Sequence, residues 1–174
     1  MLKKIAIAVL VLVVLVLAYA ALQPNSFQVQ RTVTIKASPD KIRPLISDFH
    51  QWAAWSPWEK LDPAMQRTFS GAPKDLGAVY AWNGNDKVGA GRMEVTALQP
   101  AMVVIKLDFL KPYASNNTTT FTLVPQGDGT VVTWSMEGQA DFMVKLMSLV
   151  ASMDKVIGKD FEAGLANLKA LAEK

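Results

Sequence analysis

The sequence predicts an α+β fold in which a curved antiparallel β-sheet wraps around one long C-terminal helix, behind an N-terminal transmembrane helix. Three observations predict it. Residues 5–22 form an uncharged apolar run, residues 66–136 alternate between strand patterns and turn residues, and residues 142–168 carry apolar side chains at spacings of three and four. A curved sheet needs a cover on its concave face, and the last of these segments is the only element long enough to supply it.

The N-terminal run has the length of a membrane span. Ile5–Leu22 follows two lysines, Lys3 and Lys4, and contains no polar stripe. As a helix it would extend roughly 27 Å, close to the hydrocarbon thickness of about 30 Å. A cleaved signal peptide is the alternative, with Ala18-Tyr19-Ala20 as a small-x-small cleavage site. Because the run is long for a signal peptide, we favour an uncleaved anchor.

This segment divides the chain and sets its topology. We expect residues 1–22 to be the anchor or signal, residues 23–26 a linker, and residues 27–174 one domain. Positive charge resists translocation, so the N-terminus stays cytoplasmic and the domain lies outside the cytoplasm, in the periplasm if the source is a bacterium. Cleavage near Ala20 would instead export the domain without an anchor.

Composition excludes several classes of function. Lys3 and Lys4 account for two of the 18 basic residues against 15 acidic ones, so the rest of the chain carries a net charge of +1. No dense basic patch remains for nucleic acid. The absence of cysteine and the single histidine exclude disulfides and thiolate metal sites and argue against a structural zinc site, and we expect no cofactor.

The first half of the domain begins with a strand and a helix. Phe27–Lys36 alternates as a half-buried strand does, although Arg31 falls on its apolar face. Ser38 and Pro39 then form a helix start, as N-cap and first helical residue. Pro44 lies within this helix and should kink or shorten it.

The second half predicts about six strands and a helix. Asn83-Gly84 and Gly127-Asp128-Gly129 mark two hairpins. Asp141 is the expected N-cap of one helix that continues nearly to the C-terminus. The short connection from residue 137 to residue 140 should fold this helix back across the sheet.

Specific motifs in this order resemble a known superfamily. Val33-Thr34-Ile35-Lys36-Ala37-Ser38-Pro39 resembles its first strand and Ser-Pro helix start. Phe49–Glu59, which contains Trp52, Trp55, Ser56, Pro57 and Trp58, resembles its aromatic segment. Gly127–Trp134 is similar to its penultimate turn and last strand. The chain thus resembles the START-like or SRPBCC superfamily, which has the helix-grip fold, and within it the polyketide cyclase/dehydrase branch.

The resemblance implies an internal cavity between the sheet and the long helix that holds an apolar ligand. Strand alternation gives the inward faces, the aromatic segment adds two tryptophans, and the helix adds methionines opposite the sheet. Asn117 and Thr119 share one inward face and, with the Tyr80 hydroxyl, would orient the polar end of a ligand. The predicted ligand-binding residues are Trp55, Trp58, Tyr80, Trp82, Met93, Leu107, Phe109, Asn117, Thr119, Phe121, Trp134, Met136, Met143, Leu146 and Met147. Alternatively, the apolar ones pack a solid core and the two polar ones bond to backbone or water.

No residue stands out as catalytic. His50, the only histidine, lies at a helix end near Trp52, where a structural or exposed role is the expected one. Glu59 and Asp62 flank Trp58, and we expect loop acids to be solvated or to cap turns.

The leading hypothesis is therefore a membrane-anchored protein that binds an apolar small molecule, either lipid-like or polycyclic and aromatic. The alternative is a cyclase/dehydratase-like enzyme that acts on a bound polyketone. A third hypothesis is a domain outside the cytoplasm that binds protein partners, whose identity the sequence does not indicate.

Overall fold

The computed structural model describes residues 1–174 and has the predicted α+β architecture. Seven strands form one antiparallel sheet in the order β1-β7-β6-β5-β4-β3-β2, and a long C-terminal helix covers it. The strands are β1 (Ser26–Ile35), β2 (Gln66–Gly71), β3 (Ala78–Asn83), β4 (Ala90–Gln99), β5 (Met102–Lys111), β6 (Ser115–Gln126) and β7 (Gly129–Gln139). The helices are α1 (Leu2–Ala21), α2 (Pro39–Ser47), α3 (Phe142–Ser148) and α4 (Met153–Ala172), and two 3-10 helices span Phe49–Ala54 and Pro57–Lys60.

The N-terminal helix α1 stands apart from the packed core. It is long and apolar enough to cross a membrane, and only Ala20 within it is buried. Its side chains are otherwise exposed, which is the reverse of what a core helix shows.

Helix α2 begins and ends where its sequence signals lie. The Ser38 hydroxyl accepts a hydrogen bond from the backbone N–H of Lys41 at 3.4 Å, and Pro39 occupies the first helical position. The helix contains Pro44 and ends at Ser47. Phe49 belongs to the following 3-10 helix, which agrees with the prediction that Pro44 shortens α2.

The prediction of one continuous C-terminal helix is wrong. Asp141 does cap a helix, since its carboxylate accepts from the Val144 N–H at 2.8 Å, but that helix, α3, ends at Ser148. Ser152 then caps a second helix, α4, through the Lys155 N–H at 3.4 Å. The two helices have different partners: α3 packs against α1, whereas α4 packs against β1.

Arg31, the exception on the apolar face of β1, is explained by α4. Its guanidinium bridges Asp154 and Glu162 of that helix, each at 2.6 Å. Gly158 leaves room for it, because a Cβ there would lie 2.0 Å from a guanidinium nitrogen. The hydrogen bonds that Arg31 donates to Asp154 and Glu162 hold its pKa above its usual value.

Candidate functional site

A cavity of about 180 Å³ lies between the sheet and α4. Of its 18 lining residues 13 are hydrophobic, so an apolar guest suits it better than a polar one. A dry apolar cavity of about 150 Å³ holds one benzene ring, so the present volume fits a single ring or the end of a longer molecule. The lining residues are Trp52, Ser56, Trp58, Glu59, Met65, Tyr80, Trp82, Lys87, Val88, Met93, Leu107, Phe109, Thr119, Trp134, Met136, Ile157, Asp160 and Phe161.

Trp134 of β7 lines the cavity. Its ring stacks on Phe161 of α4 at 4.0 Å and on Phe121 at 4.8 Å between centroids. Gly164 permits the helix to approach this ring, because a Cβ at that position would lie 2.8 Å from it. The indole Nε1 of Trp134 is buried without a hydrogen-bond partner, which is uncommon for a tryptophan in a protein core.

Trp82 of β3 is fixed at another part of the wall. Its Nε1 donates to the Val88 carbonyl at 3.0 Å, and Phe109 meets its ring edge-on at 5.9 Å. Gly91 on the neighbouring strand lies beneath the ring, where a Cβ would come within 2.4 Å. The aromatic wall is therefore held by specific contacts rather than by general apolar packing.

A polar group of three residues, Glu59, Tyr80 and Arg67, adjoins the cavity. The Tyr80 hydroxyl donates to Glu59 Oε1 at 2.6 Å, and Arg67 Nε donates to Glu59 Oε2 at 2.7 Å. Only 8 % of the Glu59 side chain is exposed, against 27 % for Arg67. Both carboxylate oxygens are thus occupied, and the charge of Glu59 is balanced at short range.

The environment fixes the protonation of two members of this group. Burial raises the pKa of Tyr80 well above its ordinary value, and the adjoining Glu59 carboxylate raises it further. The raised pKa extends to higher pH the range in which the Tyr80 hydroxyl keeps the proton that it donates to Glu59. The hydrogen bond to Glu59 raises the pKa of Arg67, which stays cationic.

The structure brings nine of the predicted site residues together around the cavity. They come from the second 3-10 helix and from strands β3 to β7. They are Trp58, Tyr80, Trp82, Met93, Leu107, Phe109, Thr119, Trp134 and Met136.

Three others lie in the core rather than at the cavity. Trp55 is fully buried, and its Nε1 donates to the Leu45 carbonyl at 2.9 Å. Phe121 is fully buried between Trp55 and Trp134. Asn117 is also buried, where its Nδ2 donates to Ser115 Oγ at 3.2 Å.

The three helical residues do not face the sheet, and that expected placement is wrong. Met143, Leu146 and Met147 belong to α3, which packs on α1 and contributes nothing to the cavity wall. The helical part of the wall comes instead from Ile157, Asp160 and Phe161 of α4. The break between Ser148 and Met153 separates the two sets.

Sequence reasoning also missed the polar group. Glu59 was expected to be solvated, but the 3-10 helix Pro57–Lys60 places it at the cavity. Asp62, its neighbour, accepts from the Asn85 N–H at 2.7 Å and from the Ala64 N–H at 3.1 Å, so it braces loops.

His50 plays a local structural role outside the cavity. Its ring stacks on Phe69 at 4.1 Å, and Nδ1 lies 2.9 Å from the Asp48 carboxylate. Burial by itself raises the pKa of Asp48, but hydrogen bonds from His50 and Gln51 outweigh it and hold this pKa below its usual value. No group of three or more His, Cys, Asp or Glu side chains could hold a metal ion.

Comparisons with known proteins agree with this architecture. Residues 26–173 match the family described as polyketide cyclase / dehydrase and lipid transport. No curated protein sequence matches the chain significantly.

Three solved structures illustrate the fold. Protein CV1439 from Chromobacterium violaceum is 19 % identical with a TM-score of 0.59, covering 87 % of this chain and 99 % of its own. The major latex-like protein 151 from Panax ginseng is 14 % identical with a TM-score of 0.61, covering 87 % and 100 %. The di-domain ARO/CYC StfQ from the steffimycin biosynthetic pathway is 12 % identical with a TM-score of 0.60, covering 85 % of this chain and 51 % of its own. At these identities the likeness establishes the fold alone.

Proposed function

Because this chain belongs to the polyketide cyclase/dehydrase and lipid transport family, we propose that it is a membrane-anchored protein that binds an apolar small molecule. The single observation that carries the proposal is the cavity between the sheet and α4, walled by aromatics and methionines with a polar group at its side. The ligand is lipid-like or polycyclic and aromatic, with one polar end. No cofactor is invoked.

The apolar and the polar lining residues have different roles in binding. Each CH₂ of a guest that leaves water contributes about 0.8 kcal/mol, so the apolar wall supplies most of the affinity. Thr119 and Tyr80 both line the cavity. The Thr119 hydroxyl, and the Tyr80 oxygen as an acceptor, would give the polar end of the guest a preferred direction. A guest larger than one ring requires the wall to adjust, which the unbranched side chains of Met93 and Met136 allow.

Filling the cavity should weaken ligand binding. In Thr119→Phe a ring replaces a small side chain on the inward face of β6, so we expect affinity to fall at least about tenfold, the cost of losing one or two buried CH₂ contacts. The measurement is tryptophan fluorescence of the full chain in lipid nanodiscs, titrated with fatty acids, sterols and polycyclic aromatics.

Thr118→Phe is the matched control. Thr118 is the neighbouring residue on the exposed face of the same strand, so its replacement should leave binding unchanged. Absence of saturable binding in the native chain, or equal affinity in the two variants, would refute the cavity as the ligand site.

One observation favours a second candidate, a cyclase/dehydratase-like enzyme. The Tyr80 hydroxyl and the Glu59 carboxylate, joined by a 2.6 Å hydrogen bond, both line the cavity, so a proton donor and a proton acceptor would lie beside a bound polyketone. Mass spectrometry of small molecules that co-purify with the native protein separates the two functions. An unchanged single compound supports binding, and a substrate–product pair supports the enzyme.

The anchor is the second part of the proposal. Helix α1 is long, apolar and exposed along its length, and Lys3 and Lys4 precede its apolar run. We expect the mature protein in the membrane fraction to retain residues 1–22, as N-terminal sequencing would show. A mature chain that begins at Ala21 and is released in soluble form would contradict the anchor and leave export alone.

A further inference from the structure

One end of the sheet lies beside the end of α1. Strand β1 begins at Ser26, with only four residues between it and Ala21, so the Cα atoms of Ala21 and Ser26 are at most about 18 Å apart. Its partner β7 ends there too, with Ser26 opposite Gln139, and the Ala140 N–H donates to the Asn25 carbonyl at 2.8 Å. We call this the anchor end of the sheet. Helix α3 follows directly, so it also lies at the anchor end.

Helix α3 exposes its apolar side chains and buries its lysine, which is the opposite of a helix on the surface of a water-soluble protein. Its apolar side chains face outward, with 48 % of Phe142, 49 % of Met143 and 56 % of Met147 exposed, and Val150 just beyond it is 92 % exposed. Its lysine, Lys145, is turned inward and buried. The Lys145 ammonium donates to Asn25 Oδ1 at 2.5 Å and lies 3.5 Å from the Ala21 carbonyl oxygen, near the C-terminal end of α1.

A second segment places apolar side chains at the same end. The segment from Leu110, near the end of β5, to Tyr113, in the connection to β6, exposes 61 % of Leu110 and 66 % of Tyr113. The strand register puts it there, because Asn117 of β6 pairs with Gly138 at the end of β7. Two segments far apart in sequence therefore present apolar side chains to one side of the domain.

We propose that α3 with Val150 and the Leu110–Tyr113 segment form a membrane-docking face that rests on the surface of the bilayer that α1 spans. This inference rests on the anchor in the proposed function. The docking face contacts lipid. It is continuous with the end of α1, and the four-residue linker keeps the domain at the bilayer surface. Apolar residues of an interfacial helix enter the headgroup boundary by about 5–10 Å, which stabilises the contact in proportion to the apolar area buried.

The cavity lies at the docked side of the domain. Its wall uses residues near the anchor ends of their strands: Trp82 of β3, Phe109 of β5, Thr119 of β6 and Met136 of β7. The opposite half of the sheet is packed solid by α2 and by fully buried residues such as Leu123 and Val132. A docked domain would thus bring its ligand site near the lipid, and an apolar ligand would travel a short path between bilayer and cavity.

Single-cysteine labelling tests the docking face, since the chain has no native cysteine. Met147→Cys and Val150→Cys, each carrying an environment-sensitive fluorophore, are compared with Asp128→Cys in full-length protein. Asp128 lies in the β6–β7 turn at the opposite end of β1, a distance of roughly 30 Å for a ten-residue strand. The vesicles contain phosphatidylcholine and phosphatidylglycerol, with or without phosphatidylcholine that carries a doxyl quencher on its acyl chain, and flotation measures membrane insertion.

The expected result is that all variants float with the vesicles, and that labels at 147 and 150 are quenched by doxyl lipid about threefold more than the label at 128. Flotation with equal, weak quenching at all three sites would overturn the docking face while leaving the anchor intact. A buried label at 147 that doxyl lipid does not quench would overturn it in favour of a protein contact. Failure to float would overturn the anchor and the docking face together.

Discussion

Replacement of Trp134 by alanine is expected to lower the free energy of unfolding by about 3–5 kcal/mol, the range for removing a buried aromatic ring. Only 2 % of Trp134 is exposed. Its ring stacks on Phe161 and Phe121 and meets Trp52, Trp55 and Trp58 edge-on. The void would join the existing cavity, and the rigid stacked rings around it cannot close it.

Urea unfolding of the full chain in a mild detergent, followed by circular dichroism, measures this loss. Trp134→Phe is the control, because a smaller ring still stacks on Phe161, and we expect it to lose less than half as much as the alanine variant. Added indole should raise the stability of Trp134→Ala more than that of the native chain, because only the variant has the additional void for it to occupy. A loss below about 1 kcal/mol would show that the site collapses and that these stacks are not a rigid wall.

The order of elements could be predicted because each one carries a local signal. Ser38 and Pro39 start α2, Asp141 starts α3, and Gly127, with a positive φ, marks the turn between β6 and β7. Alternation placed most of the inward-facing residues correctly, since a strand has only two faces. Trp82, Phe109 and Trp134 are at the cavity wall for this reason.

The break in the C-terminal helix could not be predicted from periodicity. Apolar residues recur every three to four positions from Phe142 to Leu168, and such a stripe has the same form whether it faces a sheet or the outside of the domain. The separation of α3 from α4 has a local cause, the Ser152 cap of α4, and a tertiary one. Lys145 is drawn to Asn25 and the end of α1, whereas Phe161 is held on Trp134.

The polar group at the cavity could not be predicted from the sequence for a similar reason. The residues around Glu59 are typical of a loop, and they predict a solvated carboxylate. Its partners Arg67 and Tyr80 lie eight and 21 residues away, on different strands. No spacing rule connects a 3-10 helix to two neighbouring strands, so only the folded chain shows that the three side chains meet.

Replacement of Glu59 by alanine is expected to lower the free energy of unfolding by roughly 2–3 kcal/mol, because it removes a buried acceptor of charge-assisted hydrogen bonds. It leaves the buried Tyr80 hydroxyl and the Arg67 guanidinium without their carboxylate partner. The partial exposure of Arg67 lets water take up some of its lost bonding, which keeps the loss below that of a fully buried pair.

Glu94→Ala is the matched control. The Glu94–Arg92 pair has the same 2.7 Å separation as Glu59–Arg67, but 34 % of the Glu94 side chain and 39 % of the Arg92 side chain are exposed. An exposed pair of this kind contributes about 0–1 kcal/mol. If burial rather than pairing determines the contribution, urea unfolding of the two variants should show a loss at least twice as large for Glu59→Ala. Equal losses would mean that Glu59 is solvated in solution and that the polar group is not a fixed part of the cavity.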